Sequence, residues 1–139
     1  MYKFYFRCTK AFSKKNNLHK ILVVDDDVSI LDAMKIALEL QGYQVETTTK
    51  GEETFSKIGS FKPDLIFMDV YLPGMDGREI CKQIKEDDKT NHIPVIIFSA
   101  NKSMKEVFEE SGANDFIGKP FNMDELYEKV KNKTSHILY

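Results

Sequence analysis

A chain of 139 residues and 16.1 kDa has the size of one domain, which excludes a multidomain enzyme. It holds 42% hydrophobic and 30% charged residues, the mix of an ordinary globular protein rather than a disordered one. The formal net charge of −2 hides an asymmetry: residues 1–20 carry Lys3, Arg7, Lys10, Lys14, Lys15 and Lys20 and no acid, for +6, and the remainder carries −8. An acidic body is a poor nucleic-acid binder. No apolar run reaches the roughly 18 residues of a transmembrane segment. Two cysteines, Cys8 and Cys81, cannot build a disulfide framework. A cytoplasmic setting is expected.

Residues 1–19 mix Tyr2, Phe4, Tyr5, Phe6 and Phe12 with lysines and show no period. They read as a flexible basic aromatic extension. A segment touching a membrane surface or a partner is the other reading. Ile21–Val24 is a short apolar run, suited to a strand buried on both faces, and it ends in Asp25, Asp26 and Asp27. Ile30, Leu31, Met34, Ala37 and Leu38 then repeat at helical spacing until Gly42. Tyr43–Thr48 alternates as a strand, and Glu52–Gly59 reads as a short helix.

Asp64–Asp69 is a third strand, again ending in an acid. Pro73-Gly74 and Asp76-Gly77 mark a turn-rich loop. A helix follows with Ile80, Cys81 and Ile84 inward, then the apolar strand Pro94–Phe98. Ser103 with Glu106 spells a capping box, for a helix using Met104, Val107 and Phe108 that Gly112 closes. Asn114–Gly118 is a fifth strand. Asn122 with Glu125 caps a last helix using Met123, Leu126, Tyr127 and Val130.

Five strands alternating with helices predict a mostly parallel sheet with helices on both faces. In such sheets ligands sit beyond the carboxyl ends of the strands. The residues there are Asp25, Asp26 and Asp27, Asp69, Ser99, and Lys119 with Pro120. Gathering carboxylates is costly: two charges about 4 Å apart interact by roughly 4 kcal/mol at an effective dielectric of 20. A hard dication such as Mg²⁺ removes that cost. Lys119 adds a positive charge and Ser99 a hydroxyl donor, a combination suited to a phosphoryl group arriving at a carboxylate. A carboxylate can be the nucleophile, giving an aspartyl phosphate. Asp69 is the better candidate, because it stands alone at a strand end while the first three acids form a metal-like cluster. Taken singly each residue has a plainer reading: Asp27 as a helix cap, Ser99 as a turn former, Lys119 as a surface lysine, Phe116 as a half-buried strand aromatic.

Residues 20–131 resemble the receiver domain of two-component response regulators. The resemblance is carried by Ile21-Leu22-Val23-Val24-Asp25-Asp26-Asp27, Asp64-Leu65-Ile66-Phe67-Met68-Asp69 and the loop from Val70 to Gly77. Ile97-Phe98-Ser99-Ala100 and Phe116-Ile117-Gly118-Lys119-Pro120-Phe121 complete it. It implies an α/β, (βα)5 flavodoxin-like three-layer sandwich with a parallel five-stranded sheet of order 2-1-3-4-5. The implied domain is 20–133, with 134–139 a C-terminal tail.

The resemblance also implies the site. Asp69 falls on the phosphoacceptor. Asp26 falls on the direct Mg²⁺ ligand, Asp25 on an acid acting largely through water, and Tyr71 on the main-chain carbonyl that completes the metal site with Asp69. Ser99 and Lys119 fall on the groups that hold the phosphoryl group, and Phe116 on the switch aromatic. The bond matching Lys119-Pro120 is cis in the family. The implied donor is a sensor histidine kinase or a histidine phosphotransfer protein. The implied reader is a downstream protein on the face of the fourth helix, fifth strand and last helix, where a homodimer on phosphorylation would also form. No nucleic acid is expected as a partner and no turnover of an external substrate. Tyr71 shielding the acyl phosphate, and Asn101 offering no carboxylate to orient water, predict slow self-dephosphorylation. With Tyr139 just past the last helix, a stand-alone receiver that docks or relays phosphate is the expectation.

Two other classes compete. Asp25-Asp26-Asp27-Val28-Ser29 also reads as Asp-x-Asp-x-Ser, the pattern of a haloacid-dehalogenase-type phosphohydrolase with Asp25 as nucleophile and Asp27 as general acid. A phosphorylation-independent interaction module is the third, although no site residue is missing.

Overall fold

A computed structural model of the protein describes residues 19–100 and 104–135. The basic leader up to residue 18, Asn101, the capping serine Ser103 and residues 136–139 lie outside the described residues. Five strands and five helices alternate. They are β1 (Lys20–Val24), α1 (Val28–Leu40), β2 (Gln44–Thr48), α2 (Thr54–Phe61), β3 (Leu65–Asp69), α3 (Gly77–Glu86), β4 (Val95–Ser99), α4 (Met104–Ser111), β5 (Asp115–Gly118) and α5 (Met123–Thr134). The strands form one parallel sheet of order β2-β1-β3-β4-β5, the order the resemblance implied.

Strand parity divides the interior in two. Leu22, Val24, Ile66, Met68 and Ile97 face one way and pack with Ile58 of α2, Ile80, Cys81 and Ile84 of α3, and Val107 of α4. Ile21, Val23, Leu65, Phe67, Ile96 and Phe98 face the other way and pack with Leu31, Met34 and Leu38 of α1 and Leu126 and Val130 of α5. Every residue of β3 and β4 is buried. This is why these strands appear in the sequence as unbroken apolar runs rather than alternations.

Two helix caps are formed as expected. The Asp27 carboxylate accepts from the Ser29 N–H, and Asn122 Oδ1 accepts from the Glu125 N–H at 2.8 Å. Each is worth about 1 kcal/mol.

Two segments differ from expectation. The short helix predicted over Glu52–Gly59 runs over Thr54–Phe61, after a 3-10 turn at Gly51–Glu53. Gly59 does not end it because Phe61 is still needed in the core, and Lys62, in the left-handed conformation (φ 54°), makes the stop. The turn-rich loop contains a small antiparallel ribbon, Tyr71–Leu72 with Met75–Asp76, folded about Pro73 and a positive-φ Gly74. At the other end, α5 includes Thr134, which is buried and whose hydroxyl bonds to the Val130 carbonyl, one residue beyond the expected domain boundary.

Candidate acidic centre at the carboxyl edge of the sheet

β1 and β3 are neighbours, with Val24 paired to Met68. Asp25, the first residue past β1, and Asp69, the last of β3, therefore emerge side by side. Both are buried, whereas Asp26 is exposed. One carboxylate oxygen from each of Asp25, Asp26 and Asp69 falls within 4.8 Å of the others.

Lys119 completes the group from the far side. It follows β5, two strands away from β3, and its N–H donates to the Ser99 carbonyl at 2.9 Å. Its peptide bond to Pro120 is cis. Its side chain crosses the end of β4 with Nζ 4.7 Å from the centroid of the Phe98 ring. Nζ ends 2.8 Å from Asp25 Oδ2 and 3.5 Å from Asp69 Oδ1. The second Asp25 oxygen accepts from the Asp27 N–H at 2.9 Å. Asp25 is thus held from both sides by its own neighbours.

Three carboxylates against one ammonium leave an excess of negative charge. The cost falls on Asp69: burial first, then the charge of Asp25, push its carboxyl up to about 6, and Lys119 only partly offsets them. The donor set is all hard oxygen and under-compensated. It fits a hard divalent cation, which prefers one or two carboxylates with its remaining positions open to water or phosphate.

Two of the other expected site residues, Ser99 and Tyr71, lie at or just past the ends of neighbouring strands. Ser99 ends β4, buried, one position past the Asp69–Phe98 pair. Tyr71 belongs to the ribbon just after Asp69 and is 56% exposed. Phe116 is not at the acidic group. It sits on β5 with 37% of its surface exposed and its ring 5.5 Å from that of Phe108 on α4. Asp27 is not among the three gathered acids: its Oδ1 accepts from both the N–H and the hydroxyl of Ser29, and that hydroxyl holds its carboxyl below the usual range.

One residue was not anticipated as part of the site. Gly77, the first residue of α3, donates its N–H to the Val70 carbonyl at 2.8 Å and lies directly against the Asp69 main chain. Beside it, Asp76 caps α3 through the Arg78 N–H, and the Arg78 guanidinium joins Asp76 to Glu110 of α4. The Asp76-Gly77 pair was visible as a turn signal, but only the packed structure shows what it lies against.

The sequence matches the response regulator receiver domain family over residues 21–131, nearly all of the described structure. The chain belongs to the response-regulator receiver family. Among relatives of this receiver domain, the alkaline phosphatase synthesis transcriptional regulatory protein PhoP of Bacillus subtilis is 41% identical over 112 residues, covering 81% of this chain and 47% of that protein. The DNA-binding dual master transcriptional regulator RpaA of Synechocystis sp. is 34% identical over 114 residues, with 81% and 47% covered. The receiver domain thus spans about half the length of these curated relatives.

A CheY-like response regulator receiver domain protein from Methanospirillum hungatei superposes with a TM-score of 0.78 at 32% identity, covering 86% of this chain and 95% of the other. The signal receiver domain of a histidine kinase from Syntrophus aciditrophicus gives 0.79 at 34%, covering 86% and 92%. No helix among the described residues is long and apolar enough to cross a membrane.

Proposed function

We propose that this receiver domain is a phosphorylation-dependent signalling switch in which Asp69 accepts a phosphoryl group from a phosphohistidine. A sensor histidine kinase or a histidine phosphotransfer protein presents that group. The observation that supports this best is the setting of Asp69: a buried carboxylate ending the central strand, beside Asp25 and Asp26 and within 3.5 Å of the Lys119 ammonium.

Asp25, Asp26, Asp69 and the main-chain carbonyl of Tyr71 would hold Mg²⁺. The bound ion would supply charge compensation for the incoming phosphate oxygens. An Asp69 carboxyl near 6 is largely ionised at neutral pH, so one of its oxygens is ready to attack. That oxygen forms the new P–O bond as the P–N bond breaks, and the electron pair of the P–N bond leaves with the imidazole nitrogen. Positioning and charge stabilisation suffice for a loose phosphoryl transition state. Lys119, already bridging Asp25 and Asp69, follows the charge onto a phosphoryl oxygen, and the Ser99 hydroxyl donates to another.

The output is a shift between two packings. Ser99 moves toward the phosphoryl group and Phe116 turns inward behind it, changing the α4–β5–α5 face that a downstream protein, or a second copy, reads. The body of the chain is acidic, which suits protein partners and not nucleic acid. The setting is cytoplasmic, and no external substrate is turned over.

The hydrolase reading finds no support in the geometry. Both oxygens of Asp25, its nucleophile, are engaged, Oδ1 by the Asp27 N–H and Oδ2 by Lys119, and Asp27, its general acid, is committed to Ser29 and the start of α1.

Incubation with acetyl phosphate and Mg²⁺ tests the proposal. Wild-type protein should gain the mass of one phosphoryl group, and Asp69→Asn should not. An unmodified wild type would overturn it. Modification that survives in Asp69→Asn but is lost in Asp25→Asn would favour the hydrolase instead.

A further inference from the structure

A chain of contacts runs from Asp69 to α4. The ribbon follows β3 directly, its Tyr71 pairs with Asp76, and the Gly77 N–H returns to the Val70 carbonyl. Asp76 is therefore fixed relative to Asp69. The Arg78 guanidinium grips Asp76 as a fork, with Nε 3.0 Å from Oδ1 and Nη2 2.6 Å from Oδ2. Its remaining edge faces α4, where Nη1 donates to Glu110 Oε1 at 3.1 Å. One planar group thus joins the ribbon to a helix 32 residues further along the chain.

The Arg78 charge does little for α3 itself. It stands in the first turn, where a cation opposes the helix dipole. The cap is made by the Asp76 carboxylate and the Arg78 main-chain N–H, which any residue but proline supplies. The guanidinium is what reaches α4, and a single ammonium in its place could not hold both acids in this way. At the far end, α4 carries Phe108, two residues before Glu110, whose ring lies 5.5 Å from that of Phe116. A movement of α4 therefore moves the wall against which Phe116 rests.

We propose that Arg78 is a positioning residue for α4: by gripping Asp76 and Glu110 together, it ties the helix that flanks Phe116 to the ribbon next to the phosphoacceptor, and favours the packing in which Phe116 lies against Phe108. This rests on the reading of Asp69 as phosphoacceptor and of the α4–β5–α5 face as the part that repacks. An ion pair this exposed shifts an equilibrium by up to about five-fold. With the bridge cut, α4 is freer to take the second packing, and a mimic of the phosphoryl group binds more tightly.

The test titrates the full ¹⁵N-labelled chain with beryllofluoride in Mg²⁺, with the amide resonances of Val107, Phe108 and Glu109 reporting α4. Glu110→Gln leaves the Asp76–Arg78 fork in place and should bind beryllofluoride about two- to five-fold more tightly than wild type. Arg78→Lys keeps the charge but loses the span, and should behave like Glu110→Gln. The double variant should match the single ones rather than add to them. Glu109→Gln removes the same charge one residue away and should match wild type.

A merely structural bridge would lower the urea midpoint and leave beryllofluoride affinity as it was. Unchanged or weaker affinity in Glu110→Gln overturns the proposal, and so does an equal gain in Glu109→Gln. The wild type separates this inference from the reading beneath it. If its α4 resonances stay put at saturating beryllofluoride, that reading falls and the role of Arg78 with it. If they move, and Glu110→Gln titrates as wild type does, the role of Arg78 falls alone.

Discussion

Gly77 lies so close to the main chain of Asp69 that a Cβ at position 77 would stand 1.9 Å from the Asp69 carbonyl oxygen. That atom is backbone, not the movable end of a side chain, so the start of α3 and the end of β3 fit together only through a glycine. Gly77→Ala must push α3 away from the strand that carries Asp69. Overpacking of this kind costs about 1–3 kcal/mol, and here it displaces the site itself. Urea denaturation should show a loss in that range, and Mg²⁺ should bind more weakly. Gly59, inside α2, is the contrast: its Cβ would meet nothing within 4 Å, so Gly59→Ala should stabilise by about 0.5–1 kcal/mol. Equal effects at the two positions would refute the close-approach explanation.

Asp69 should burden the fold at neutral pH. Its folded-state value, about 6, lies above the ordinary 3.8, so the folded protein binds the proton more tightly than the unfolded chain does. Stability therefore falls as pH rises from about 4 to about 6, and the penalty is complete above that window. Asp69→Asn removes it. Without divalent cation, the mutant should be more stable than wild type at pH 7.5, by at most about 3 kcal/mol, and the difference should shrink at pH 5. Mg²⁺ should raise the wild-type melting temperature at pH 7.5 more than the mutant's. A wild type–mutant difference that ignores both pH and Mg²⁺ would refute the electrostatic origin.

Lys119→Met should act with opposite signs on stability and on metal affinity. The ammonium is the charge partner 2.8 Å from the fully buried Asp25. Removing one member of a buried pair costs about 3–5 kcal/mol, because the other charge is left uncompensated. The same loss makes the site more negative. In chelator the mutant should unfold at lower urea than wild type, and Mg²⁺ should restore more of its stability than it restores to wild type. Urea titrations with and without Mg²⁺ measure both.

Shielding of an acyl phosphate by Tyr71, which is two positions past Asp69 and more than half exposed, is an expectation with a kinetic test. Phosphorylated wild type should persist for minutes rather than seconds at neutral pH, and Tyr71→Ala should shorten that life. Loss of phosphoryl mass over time after removal of the donor measures it. A wild-type lifetime of seconds that Tyr71→Ala leaves unchanged would end the shielding idea.

The alternation of strands and helices was legible in the sequence because periodicity is local: apolar runs with acids at their ends mark β1 and β3, and Asn122 with Glu125 marks the start of α5. The candidate acids were legible too, because a parallel sheet brings all its strand ends to one edge whatever the details of packing. What no local pattern contains is distance. The reach of Lys119 over Phe98 to Asp25, 94 residues apart in the chain, depends on β5 lying two strands from β3. The fit of Gly77 against Asp69 and the part of Phe61 in carrying α2 past Gly59 likewise depend on what stands opposite each residue. Composition and spacing determined which groups this chain can bring to its sheet edge. Only the packed structure decided which of them touch, because contact is set by the register and layering of elements far apart in sequence.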